Sequence, residues 1–182
     1  MERIIKSMDE KHKEEALDFV QKVFTEYENE KEGKLVRDLV AEIRSKRFYV
    51  PELELIMVDE QDQIIGFVNF SRFHLEGKYE DKLLLLSPVA VKTELQRQHI
   101  SKELIEYGFE RAKEMGYEVV IVEGNPRNYN ARGFVTSCEH GIIAGEKIQL
   151  PRPECLMVKE LVPGALQNIK GVMDYSDYEA LS

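Results

Sequence analysis

Apolar residues recur at helical spacing twice in the first quarter of the chain. Leu17, Val20, Phe24 and Tyr27 share one face with lysine and glutamate between them, and Leu35, Leu39 and Ile43 repeat the pattern with Val36 and Val40 beside them. That spacing predicts two amphipathic helices lying on a flat apolar surface. Ser7 and Glu10 have the S-x-x-E spacing of a capping box and predict the first helix start, after a short strand at residues 3–6; Gly33 predicts the break between the helices. The pattern then changes period. LELIMV (53–58) and IIGFVNF (64–70) are rich in β-branched and aromatic residues and are joined by the polar DEQDQ, which predicts a hairpin.

LLLLSPVAV (83–91) and EVVIVEG (118–124) are apolar on both faces, as central strands covered on each side must be. Between them, SKELIEYGFERAKEMGY puts Leu104, Ile105, Gly108, Ala112 and Met115 on one helical stripe and ends at Gly116, a left-handed cap. Strand, helix, strand in this order predicts a βαβ unit with parallel strands. Beyond Gly124 the pattern predicts a turn of helix, a strand at 133–137, a loop to Pro153 and a last strand at 154–161. If that last strand lies at the sheet edge, it offers a route to a homodimer. The fold class is α/β (α+β), a mixed central sheet flanked by helices, in one domain over 1–182 with its core at 1–161 and an extension at 162–182.

Composition narrows the function. With 182 residues, 43% hydrophobic and 32% charged, the chain is an ordinary globular protein, and no stretch approaches the roughly 20 apolar residues needed to span a bilayer. A net charge of −9 and a pI of 5.1 disfavour nucleic acid, whose phosphates require a basic face. Cys138 and Cys155 lack metal-ligand spacing, and no apolar leader is visible, so a cytoplasmic protein without a metal is expected. Against this acidic background QRQHISK (96–102) is a basic island.

Pro88 cannot donate a backbone hydrogen bond inside a sheet, so the strand that carries it must part from a neighbour there. The freed amides of Val89 and Val91 then suit an extended ligand bearing amides of its own. At the end of the same strand, the helix starting near Ser101 presents unpaired N–H groups and a partial positive charge, with Arg97 and Lys102 adding formal charge. Bulged strand and helix start together describe a ligand with a phosphate end and a peptide-like arm.

These residues resemble the acetyl-CoA motif of the GNAT N-acetyltransferases, Q/R-x-x-G-x-G/A after a strand of the form LAV. The combination LSPVAV, QRQHIS, GYEVVIVEGNP, a tyrosine before GF, and PRPECLMVKELVPGAL is similar to the YhbS-like branch of that superfamily. The resemblance implies the GNAT fold with a splayed parallel strand pair, acetyl-CoA as cosubstrate, and acetyl transfer to a primary amine of a small molecule or protein by direct attack on the thioester. It implies cofactor contacts from Val89, Val91, Gln96, Arg97, Gln98, His99, Ile100, Ser101, Lys102 and Asn125, the alternative for Asn125 being a cap on the turn before Pro126. His99 and Ser101 stand where the family has small residues, and His99 is expected to turn outward.

Three demands follow from the chemistry: a neutral amine, stabilised charge on the thioester oxygen, and a proton for the leaving thiolate. The Val89 N–H is the candidate oxyanion donor, and the resemblance implies Tyr129 as the acid, since Tyr129 to Phe134 match the Y-x-x-x-G-F pattern in which the superfamily commonly places a tyrosine hydroxyl beside the CoA sulfur. Glu123 and His74 are candidate bases. His12 and His140 read as surface or loop residues, and Cys138 as a packing residue. The acceptor pocket is expected from the first two helices, the loop after Phe73 and residues 139–153. The missing glycines also leave open a non-catalytic module that binds and senses CoA.

Overall fold

The computed structural model describes residues 2–182, which form two compact units. The first takes in the chain up to Ser71, with Ser87–Gly108 and Asp177–Ser182; the second takes in Arg72–Leu86 and Phe109–Ser176.

In the first unit, β1 (Ile4–Ser7), β2 (Glu54–Val58) and β3 (Ile64–Arg72) pair antiparallel in that order, Ile4 opposite Val58 and Glu54 opposite Asn69. The helices α1 (Lys13–Tyr27) and α2 (Glu30–Arg44) bury Ala16, Val20, Val36 and Val40 against Ile56 and Phe67 of the sheet. Two start signals differ from the sequence expectation. Ser7 belongs to β1, where its hydroxyl donates to the Glu52 carbonyl, and the cap is Asp9, whose carboxylate accepts from the His12 N–H at 3.0 Å. Gly33 lies inside α2, which begins after the Asn29 cap, because the helices approach too closely for a side chain: a Cβ there would sit 2.0 Å from Thr25 Oγ1. Tyr27 is exposed; Val23 is buried in the last turns of the helix instead.

His12, expected at the surface, is fully buried, with Nδ1 2.6 Å from Asp9 and Nε2 3.1 Å from Asp62. A second buried polar group is Glu54, held by Arg44 through two 2.8 Å contacts and by the Tyr49 hydroxyl at 2.6 Å. Burial, then the neighbouring Glu54 carboxylate, pushes the Tyr49 hydroxyl pKa up, so this cluster holds one compensated ion pair and a neutral phenol.

On the opposite face of β3 lies the start of α3 (Ile100–Glu114). Gly66 admits Ile100 and Leu104, each within 2.7 Å of where its Cβ would be, and Gly108 admits the Phe70 ring within 2.1 Å. These glycines let helix and strand approach to backbone contact, which fixes where the helix begins. Strand β4 (Leu83–Val91) runs from the second unit into the first, and the Lys92 N–H at its end donates to the Ile65 carbonyl at 2.9 Å.

In the second unit the strand order is β4, β5 (Val119–Glu123), β8 (Leu156–Glu160), β6 (Val135–Thr136). The parallel ladder of β4 with β5 holds Leu83 with Val119, Leu84 with Val120 and Leu85 with Ile121, and β4 continues to Val91. The crossover helix stops at Gly116, whose φ of 95° is left-handed as the cap requires. Strand β8 pairs with β5 on one side and β6 on the other. It is therefore interior, which removes the edge proposed for pairing between chains. The expected loop to Pro153 contains β7 (Ile142–Ala144), which pairs in parallel with β9 (Gly171–Met173) in a small sheet. Among the described residues no helix is long and apolar enough to cross a membrane.

Candidate active site

The first unit carries the predicted cofactor residues. The Ser87-Pro88 peptide is cis, and beyond it Val89 and Val91 are half-buried while Ala90 is buried. A single turn, Thr93–Leu95, leads into Gln96 and the loop before α3. Arg97 and His99 have φ of 66° and 64°. These are left-handed conformations that cost a non-glycine residue roughly 1–2 kcal/mol. The second is the position at which the motif has glycine, so His99 adopts the glycine-like backbone and bears the strain. Its side chain is exposed, as are those of Gln96, Arg97, Gln98 and Lys102, while Ile100 is buried against β3 and Ser101 is half-buried. The His99 carbonyl accepts from the Glu103 N–H at 3.0 Å, which opens the hydrogen-bond ladder of α3.

Arg3 joins this loop, donating to the Gln98 side-chain oxygen at 2.6 Å. It adds a third cation to Arg97 and Lys102. No local spacing signals a partner 95 residues away in sequence; only the pairing of β1 with β2 brings it there.

The second unit carries Glu123, Asn125 and Tyr129. Glu123 ends β5 and is exposed. The Asn125 side chain accepts from the Arg127 N–H at 3.0 Å and caps α4 (Pro126–Asn130), with Pro126 in its first turn. Tyr129 folds back over Gly124, where a Cβ would meet its ring at 2.5 Å, and sits edge-on to Phe134 at 5.6 Å. Burial raises the pKa of its phenol, opposed by the nearby Arg132 charge. Among the described residues its hydroxyl has no hydrogen-bond partner.

Glu123 Oε1 accepts from the Tyr175 hydroxyl at 2.9 Å. Sequence reasoning missed this tyrosine, which lies 52 residues away. Of the other candidates, His74 Nδ1 accepts from the Gly77 N–H at 2.9 Å, closing a turn. Cys138 is exposed rather than packed, and Cys155 is buried. Among the described residues no group of three or more His, Cys, Asp or Glu side chains is placed to hold a metal ion.

A strand followed by a loop with glycine-like backbone and then a helix start is the arrangement that the motif Q/R-x-x-G-x-G/A describes. Residues 14–139 match the model of the Acetyltransferase (GNAT) family, and the chain belongs to that family. Among its relatives, the N-acetyltransferase YhbS of Escherichia coli K12 is 28% identical over 153 residues, covering 84% of this chain and 85% of YhbS. YjhQ, an N-acetyltransferase of the same organism, is 29% identical over 126 residues, 68% of this chain and 69% of its own length. The crystal structure of E. coli YhbS in complex with CoA matches with a TM-score of 0.81 at 24% identity, covering 95% of this chain and 89% of that one. A GNAT family acetyltransferase from Brucella melitensis in complex with acetyl-CoA matches with a TM-score of 0.68 at 21% identity, covering 89% and 90%. The fold is thus the GNAT fold, with the mixed sheet and flanking helices expected from sequence.

Proposed function

We propose that this N-acetyltransferase transfers the acetyl group of acetyl-CoA to a primary amine of a small molecule or protein, by direct attack of the amine on the thioester, in the cytoplasm. The observation that carries the reading is the loop before α3. Its backbone is left-handed at Arg97 and again at His99, the position where the motif has glycine, and the His99 side chain is exposed. The residues present therefore fit a pyrophosphate: the positive end of the α3 dipole with Arg97, Lys102 and Arg3 around it. Gln96, Gln98, His99, Ile100 and Ser101 contribute chiefly backbone. Val89 and Val91 stand on the part of β4 beyond its three pairs with β5, which supports reading their amides as partners for the pantetheine arm; Asn125 is a further proposed cofactor contact. The YhbS and Brucella structures contain CoA and acetyl-CoA respectively.

The residue roles follow from the three demands of the reaction. The Val89 N–H steadies the charge that develops on the thioester oxygen. Glu123 accepts a proton from the attacking nitrogen, and Tyr129, whose raised pKa keeps it protonated at neutral pH, donates one to the departing thiolate. The free thiols Cys138 and Cys155 are consistent with a reducing compartment.

The test has two arms: thermal unfolding with CoA, and thiol release from acetyl-CoA against ethylamine, spermidine, a lysine-containing peptide and an aminoglycoside. CoA at a hundred times its Kd should raise Tm by about 5–10 °C, with thiol release from at least one amine. Stabilisation without release from any amine would favour the CoA-sensing module instead; absence of both would overturn the reading.

A further inference from the structure

Tyr175 lies outside the stretch matched by the family model, which ends at residue 139, yet it makes the hydrogen bond to Glu123. The surrounding structure fixes it firmly. Two residues before it, Met173 closes the parallel pairing of β9 with β7 opposite Ala144. One residue after it, the Ser176 N–H and hydroxyl both donate to Asp174, at 2.9 and 2.6 Å. Its ring packs on Phe73, with centroids 6.3 Å apart, and Phe73 is itself 2% exposed. The strand, the turn and the ring together aim one hydroxyl at one carboxylate oxygen.

We infer that Tyr175 is a positioning residue for the reaction, its hydroxyl holding Oε1 of Glu123 so that Oε2 is left to take the acceptor's proton. The inference rests on the proposed role of Glu123 as base. In the step it serves, the amine nitrogen bonds to the thioester carbon and the carbon–sulfur bond breaks. The proton lost by nitrogen goes to Oε2 of Glu123 and on to solvent, while the thiolate takes its proton from Tyr129, which recovers one from solvent. Without the clamp, a glutamate at an exposed strand end samples several rotamers, and only a fraction place an oxygen for the proton. The burial of the phenol and the adjacent carboxylate both raise the Tyr175 pKa, so it remains a donor throughout the working range.

The experiment compares Tyr175→Phe, Glu123→Gln and the double variant in the full chain, reading thiol release from acetyl-CoA with whichever of the four named amines reacts fastest. Tyr175→Phe retains the ring on Phe73, so Tm should stay within a few degrees. We expect Glu123→Gln to lower kcat about a hundredfold. Tyr175→Phe should lower kcat roughly tenfold with KM for acetyl-CoA unchanged, and the double variant should be no slower than Glu123→Gln alone, because a clamp has nothing to act on once the base is gone. A crystal structure of Tyr175→Phe, readable even if no amine reacts, should show the Glu123 carboxylate displaced or spread over rotamers. Unchanged kcat, additive losses or an undisturbed carboxylate overturns the inference and leaves Glu123 as base. Unchanged turnover in Glu123→Gln overturns the base assignment itself and the inference with it.

Discussion

Tyr129 keeps its proton at neutral pH because burial raises its pKa against the pull of Arg132, and no group among the described residues competes for its hydroxyl. Tyr129→Phe should therefore lower kcat roughly a hundredfold while KM for acetyl-CoA stays level, since a proton given only in the transition state does not contribute to ground-state binding; steady-state kinetics decide it, and unchanged kcat removes the tyrosine from the mechanism. Asp9 offers a test in stability. Burial opposes its ionisation, but hydrogen bonds from His12 and Lys6 hold its pKa at about 2 against an ordinary 3.8. A depressed carboxyl pKa stabilises the fold above 3.8, and that stabilisation is lost as pH falls through the folded value. The advantage of the native chain over Asp9→Asn, read as the difference in urea midpoints, should shrink as pH drops from 3.8 toward about 2; a constant difference would assign Asp9 a capping role alone. Tyr129 was open to proposal from its place four residues before Gly133-Phe134, and Glu123 from its place at the end of a strand. Tyr175 was not, since its bond to Glu123 depends on tertiary pairing that no window of sequence contains.

The elements with long, strongly periodic patterns were read correctly: α1 and the later part of α2, the β2–β3 hairpin, and the β4–α3–β5 crossover with its Gly116 stop. Errors fell where one residue type serves two ends. Glycine signals a break, but Gly33 serves a close helix crossing; S-x-x-E signals a cap, but Asp9 two residues later wins because Ser7 is already paired in β1. Strands β7 and β9 escaped because three residues carry no usable period, and each is stable only through the other. The sequence proposes the loop before α3 as an anion site, but it could not say whether His99 would adopt the left-handed backbone that the structure gives it. Arg97 stands in that loop with a free surface position, so Arg97→Ala should weaken CoA severalfold while leaving affinity for pantetheine, which lacks the diphosphate, nearly unchanged. Calorimetric titration of both ligands measures the contrast; equal losses would count against a pyrophosphate contact.

For the molecule as a whole, the acidic balance directs attention to local cations rather than overall charge, since an anionic cosubstrate must be held by a protein of net charge −9. The last six residues illustrate how much of the first unit's stability is placed late in the chain. Tyr178 is 1% exposed with its ring 5.8 Å from Phe48, and Glu42 accepts from the Glu179 and Ala180 N–H groups at 2.8 and 3.1 Å. Removing residues 177–182 should cost about 3–5 kcal/mol, the range for deleting a large buried aromatic, and lower Tm by roughly 10 °C; differential scanning calorimetry reads it. A shift below about 2 °C would mean the segment is merely resting on α2. The small sheet of β7 and β9 has a practical corollary for anyone exchanging parts among relatives. Side-by-side strands running the same way cannot be swapped as a contiguous cassette, because the chain leaves one, builds β8 elsewhere, and returns for the other. A chimera that imports residues 142–153 from a cousin without 171–176 would strand a foreign edge beside a native one, and the phenol at 175 would lose its anchor even though its own codon was never touched.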